Sequence, residues 1–186
     1  MLPFVVSCGD SSVTRTLPNV TGTTGEVLVV MDKYMWDGSP GRAVRDYVSP
    51  LLLGLPQPET AFTLMPVNPE GFRDIYVAHR NVILTKIEAG SVDPVITYAR
   101  NRWAETQLVV TVTAADTASL AAFIREKGEE IRRSINAVER ERLTDWLTNS
   151  AGKERSILSA EGSKWELVMP AGWKSAMSRN DDVPGL

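Results

Sequence analysis

The pattern of apolar residues predicts five β-strands. Residues 26–32 form an almost continuous β-branched run, which is typical of a strand buried on both faces of a sheet. Apolar or alternating segments predict further strands over 62–67, 81–88 and 106–113, and a last one over 164–169.

A long helix is predicted over about 116–149, with Asp116 as its N-cap. Its apolar stripe consists of Leu120, Ile124, Ile131, Ile135, Val138 and Trp146. Such a helix spans about 50 Å, whereas a compact domain of this size is roughly 40 Å across. The helix must therefore bend near Gly128 or overhang. We expect an overhang, with the end at 139–146 packing on a protein partner or on a second half that this chain lacks.

Shorter helices complete the predicted order of elements. Ser39 and Pro40 predict a helix that starts at a capped turn and continues to about Val48, and Asn68 or Pro69 begins another over 68–77. The order is therefore β-α-β-α-β-β-α-β. It predicts an α+β fold, in which a mixed β-sheet carries its helices mainly on one face.

Composition excludes several classes of protein. The 186 residues include 20 basic and 23 acidic ones, and 43% are hydrophobic, as in an average globular protein. A chain of net charge −3 is not an electrostatically driven nucleic-acid binder. No apolar run approaches the roughly 20 residues of a membrane-spanning helix. With one cysteine and one histidine, we expect no disulfide, no metal site and no cofactor.

The cysteine lies in a suggestive position. Val5, Val6 and Ser7 precede Cys8, which is the local pattern of a bacterial lipoprotein processing site, where the thiol is acylated and the bond before it is cut. Residues 1–8 are then a signal-peptide remnant with its lipidation site, and 9–25 a flexible polar tether. The alternative is a free thiol in a cytosolic protein that begins at Met1, because no basic region or full apolar core precedes Cys8.

Two places carry candidate catalytic chemistry, although no complete catalytic constellation is recognisable. Asp32 and Asp37 follow the first strand, and residues 37–42 lead into a helix N-terminus that could bind an anion. His79 lies at a predicted helix-to-strand junction and could act as a general base. The structural alternatives, a capped turn and a hydrogen-bonded junction, are favoured in both places.

Several short segments appear in order over residues 17–173. They are 25–32 followed by Trp36 and Gly38, 54–59, 80–83, 103–104 with 107–109, and 139–140. This ordered set resembles an uncharacterised lipoprotein family of Bacteroidota, domain of unknown function 4837. The resemblance implies a lipidated envelope protein without an established activity. It also implies a longer native chain, with 26–169 as its α+β domain and 170–186 as the start of a truncated second half.

The leading hypothesis is a lipid-anchored protein of the cell envelope with a non-catalytic binding or assembly role. We expect it at the outer membrane, facing the periplasm, because Asp10 is the only acidic residue just after Cys8. One alternative is an envelope hydrolase with a site near Asp32 and Asp37 or at His79. The other is a cytosolic α+β domain with a free cysteine.

Overall fold

The computed structural model describes residues 16–90 and 93–150, and the backbone of two short strands at 156–158 and 167–169. Cys8, the predicted signal remnant and residues 170–186 lie outside the described residues. The chain divides into two compact units, residues 1–135 and 136–186. This division falls inside the domain predicted over 26–169.

A mixed five-stranded sheet forms the first unit, as predicted. Its spatial order is β2-β1-β3-β5-β4. The strands are β1 (Glu26–Val30), β2 (Thr63–Val67), β3 (Asn81–Ile87), β4 (Val95–Arg100) and β5 (Leu108–Ala114). The first three and β5 are mutually parallel, and β4 pairs antiparallel with β5 at one edge. Strand β4 was not predicted from the sequence.

Short helical segments connect β1 to β2. They are α1 (Lys33–Asp37), α2 (Ser39–Ala43) and a π-helical turn (Val44–Val48) that continues α2. The helix predicted over 68–77 is wrong, because the chain forms only two 3₁₀ turns there, Pro69–Gly71 and Asp74–Tyr76. Between them Arg73 is extended and Asp74 has a left-handed φ of 54°, so the helix cannot continue.

Helix α3 (Thr117–Ser150) follows β5 and confirms the long helix. In the first unit it lies on the same face of the sheet as the π-helical turn. A Cβ on Gly128 would lie 2.5 Å from the Cβ of Tyr47. From β4, the hydroxyl of Tyr98 donates a hydrogen bond of 3.0 Å to Glu130. The predicted apolar stripe is buried from Leu120 to Val138.

The far end of α3 is exposed to solvent. Leu143 is 53% exposed and Trp146 is 60% exposed. The buried part of the apolar stripe therefore ends at Val138 and does not include Trp146. Glu139 is buried, however, and pairs with Arg142 at 2.8 Å, so the segment 139–146 is not exposed throughout as expected. The protein partner or missing half that would cover it remains a prediction.

Half-buried side chains, some of them from loops, cover the opposite face of the sheet. Leu28, Val30, Val82 and Val109 are buried there, beneath half-buried side chains that include Phe72 and Trp103. The last two rings meet edge to face, with 5.5 Å between their centroids. The loops on this side thus replace the helix that was predicted over 68–77.

In the second unit, β6 (Ser156–Leu158) pairs antiparallel with β7 (Leu167–Met169). Strand β7 confirms the end of the strand predicted over 164–169, and residues 164–166 lie outside the described residues. Strand β6 was not predicted.

Candidate functional site

Asp32 and Asp37 lie at the carboxyl edge of the parallel strands. The backbone carbonyl of Asp32 accepts hydrogen bonds from the amides of Met35 and Trp36, both at 3.0 Å, and so begins α1. The carboxylate of Asp37 pairs with Lys33 at 2.6 Å on the exposed side of α1. An exposed pair of this kind contributes little to stability, typically about 0–1 kcal/mol.

The turn at 37–42 is explained by backbone packing. Gly38, and not Ser39, is the N-cap of α2, and no side chain caps this helix. A Cβ on Gly41 would lie 2.0 Å from the carbonyl oxygen of Trp36, so a side chain cannot fit. Glycine is therefore required at position 41 for α2 to approach α1.

Two open grooves adjoin Trp36. The larger, about 590 Å³, lies between the π-helical turn and β2, and the smaller, about 350 Å³, lies at the carboxyl ends of β1 and β2. Arg45 covers the ring of Trp36, with its guanidinium carbon 4.7 Å from the ring centroid. The hydroxyl of Ser49 donates to the carbonyl of Phe62 at 2.7 Å and accepts from its amide at 2.9 Å. Ser49 is therefore held in a structural role.

His79 lies at the opposite, amino edge of the parallel strands, and it is buried. Its Nδ1 is 3.1 Å from the carbonyl of Asn81, so Nδ1 donates and Nε2 carries the lone pair of the neutral ring. Among the described residues Nε2 has no hydrogen-bond partner, and it lies 3.7 Å from the carboxylate of Glu26. Burial lowers the pKa of His79 below 6.5, although the Asn81 carbonyl and Glu26 oppose this shift.

A backbone strap, residues 18–22, closes over His79. The amide of Thr21 donates to Ala78 at 2.9 Å, and Arg80 donates to the carbonyl of Thr21 at 3.0 Å. Gly22 has a φ of +88°, and a Cβ there would lie 2.5 Å from Nε2 of His79. The strap thus leaves no room for a substrate at Nε2. It also shortens the predicted tether, because residues 18–22 are fixed to the sheet.

Glu26 links Thr23, the residue after the strap, to His79 and Asn81. Its carboxylate accepts a hydrogen bond of 2.7 Å from the amide of Thr23, and this bond is the main reason that the pKa of Glu26 is lowered. The side-chain amide of Asn81 donates to the carbonyl of Glu26 at 2.9 Å. The end of β1 is therefore tied to both the strap and β3.

Gln107 completes this buried polar network, and sequence reasoning missed it. Its side chain is fully buried at the start of β5. Its amide nitrogen donates to the carbonyls of Val77 and His79 at 2.7 and 2.8 Å, and its oxygen accepts from the amide of Trp103 at 3.0 Å. The only sequence signal was a polar residue directly before an apolar strand.

The structure does not bring Asp32 and His79 together. Glu26 contacts His79, and Asp32 lies six residues further along the extended chain, about 20 Å away at roughly 3.3 Å per residue. In the part of the chain that the structure describes, no three acidic, histidine or cysteine side chains are grouped to hold a metal ion. None of the described helices is long and apolar enough to cross a membrane.

One known family model covers the five-stranded sheet and most of α3. A family described as "Domain of unknown function (DUF8532)" matches residues 20–148. The chain belongs to this family. The match begins in the strap and ends near the end of α3, so the DUF8532 domain contains His79, Gln107 and both aspartates but not Cys8.

The match corrects the resemblance in part. It confirms a domain of unknown function, while the finer assignment to family 4837 and to a Bacteroidota lipoprotein remains a prediction. No curated protein and no solved structure matches the chain.

Proposed function

We propose that this protein is a lipid-anchored component of a bacterial cell envelope with a non-catalytic binding or assembly role. The observation that carries the proposal is the order Val5-Val6-Ser7-Cys8 followed by polar residues and then by the strap. Acylation of Cys8 would leave residues 9–17 as a spacer of at most about 30 Å. The DUF8532 domain would then be held close to the bilayer.

The geometry of the domain supports binding over catalysis. Two of the three side chains that were proposed from the sequence make structural bonds: Asp37 pairs with Lys33, and His79 bonds to backbone beneath the strap. The proposed location is the outer membrane, facing the periplasm, because Asp10 is the only acidic residue just after Cys8.

Metabolic labelling tests the anchor. The full-length native protein, produced in its own host with a labelled fatty acid, is expected to carry the label and to fractionate with membranes. The Cys8→Ser variant should lose both properties. The matched Ser7→Ala variant keeps a small residue before the cysteine, so it should still carry the label and fractionate with membranes. Unlabelled native protein in the soluble fraction would contradict the proposal and favour the cytosolic alternative.

A further inference from the structure

We propose that residues 51–58, here called the leucine loop, insert into the surface of a neutral phospholipid bilayer. This inference rests on the proposed function, because the lipid anchor would hold the loop beside the membrane. It assigns a second membrane contact, made by the folded domain itself.

The leucine loop is the tip of a small protruding hairpin. Leu51 pairs antiparallel with Thr60, and the amide of Leu52 donates to the carbonyl of Glu59 at 2.8 Å. Gly54, with a φ of +88°, lies in the turn. Four leucines are exposed there: Leu51 by 61%, Leu52 by 44%, Leu53 by 98% and Leu55 by 44%. Clustered exposed leucines are unfavourable in water and mark a contact surface.

The composition of the loop fits a bilayer. No charged residue occurs from Tyr47 to Pro58, and Pro50, Pro56 and Pro58 have no amide hydrogen that would need a partner in lipid. An exposed tip of leucines suits a fluid lipid surface, because such a surface needs no matching groove.

The charges near the loop indicate the class of lipid. Asp46 and Glu59 flank the uncharged stretch, and Arg45 offsets one of these two charges, so nothing around the loop attracts anionic headgroups strongly. Zwitterionic lipid is therefore the expected surface, and hydrophobic insertion should depend little on salt.

The topology places the loop and the anchor at one edge of the sheet. The loop leads into the amino end of β2, where the amide of Thr63 donates to the carbonyl of Gly25 at 3.0 Å. The strap, which would continue back to Cys8, leads into the amino end of β1 beside it. A bilayer reached by the anchor would thus face the same edge as the leucine loop.

A single-cysteine probe tests the insertion without natural lipidation. The full chain with Cys8→Ser and Leu53→Cys is labelled with an environment-sensitive dye and held by an N-terminal histidine tag on phosphatidylcholine vesicles containing a nickel-chelating lipid. We expect the dye emission to shift to the blue and to be quenched by spin-labelled acyl chains. The control carries Ala89→Cys instead, at the carboxyl end of β3, and should stay water-exposed.

A second measurement omits the nickel lipid. The Cys8→Ser chain should bind phosphatidylcholine vesicles weakly and equally at low and high salt. Leu53→Asp should reduce this binding at least about tenfold, because a leucine contributes roughly that factor or more when buried, while Leu53→Met should bind as before. Leu53 is almost fully exposed, so these variants should unfold at the same temperature.

The outcomes separate this inference from the lipid anchor. A dye at Leu53→Cys that stays water-exposed on vesicles would overturn the loop contact, whatever the fatty-acid labelling of the native protein shows. A blue shift that appears without vesicles and grows with protein concentration would indicate self-association and would also overturn it. Insertion in these vesicles would stand even if the native protein carried no fatty acid.

Discussion

Replacing Gln107 with methionine should destabilise the DUF8532 domain strongly. Methionine has a similar length but removes three hydrogen bonds, those to the carbonyls of Val77 and His79 and from the amide of Trp103. Leaving a buried polar group without its partner costs about 1–3 kcal/mol. Val77 and Trp103 are only half-buried, so water can form hydrogen bonds with the freed carbonyl of Val77 and the freed amide of Trp103. We expect a total decrease of about 3–5 kcal/mol in the free energy of unfolding.

Urea unfolding followed by circular dichroism measures this decrease. A chain of this size loses about 2–4 °C in its thermal midpoint per kcal/mol, so the midpoint should fall by about 6–20 °C. The matched control is Glu105→Met, which places the same side chain at an exposed position nearby and should change stability by less than about 0.5 kcal/mol. A Gln107→Met chain that loses less than about 1 kcal/mol would refute the reasoning that these three bonds hold the amino edge.

Three further predictions test other parts of the structure. Alanine normally stabilises a helix relative to glycine, but Gly128→Ala should lose about 1–3 kcal/mol by the clash with the Cβ of Tyr47. In a Tyr47→Gly background, which lacks that Cβ, urea unfolding should show a smaller loss on Gly128→Ala. Burial lowers the pKa of His79 below 6.5, so the unfolded chain binds more protons than the folded chain in mild acid. The free energy of unfolding should therefore fall from pH 7.5 to 5.5, with a slope of at most about 1.4 kcal/mol per pH unit. Most of the slope should be lost in His79→Gln, since the sequence has no other histidine. A small slope should remain near pH 5.5, because the pKa of Glu26 is also lowered. Asp116→Ala should lower the thermal midpoint by about 3–5 °C, because the carboxylate accepts from the amide of Ser119 at 2.7 Å, whereas Asp116→Asn should retain most of the cap.

The interior of the sheet and the long helix could be predicted because burial leaves a local pattern. Strands β1, β3 and β5 are covered on both faces, so their residues are apolar in near-continuous runs. The stripe of α3 repeats with the helical period up to Val138 for the same reason. Edge strand β4 was missed because its residues are mostly exposed and carry no strong pattern.

The candidate site could not be predicted, because its bonds join distant parts of the chain. Asn81 bonds to Glu26 across 55 positions, and Gln107 bonds to Val77 across 30. The periodicity of apolar residues predicts which residues are buried, but it does not predict which polar atoms form hydrogen bonds with one another. The strap over His79 was taken for part of a flexible tether for this reason, since its stability comes from backbone partners near residue 79.

Under the proposed function, the polar bonds at the amino edge of the sheet would hold the segment that leads to the anchor. Ligands of open parallel sheets usually bind at the carboxyl ends of the strands, where loops are free to build a pocket. Here the carboxyl edge has a shallow groove beside an exposed ion pair, while Glu26, His79 and Gln107 make a tight network at the amino edge. That network fixes the strap, which is the segment that a lipid at Cys8 would pull on. With Cys8 acylated as proposed, these bonds would keep the attachment point against the sheet.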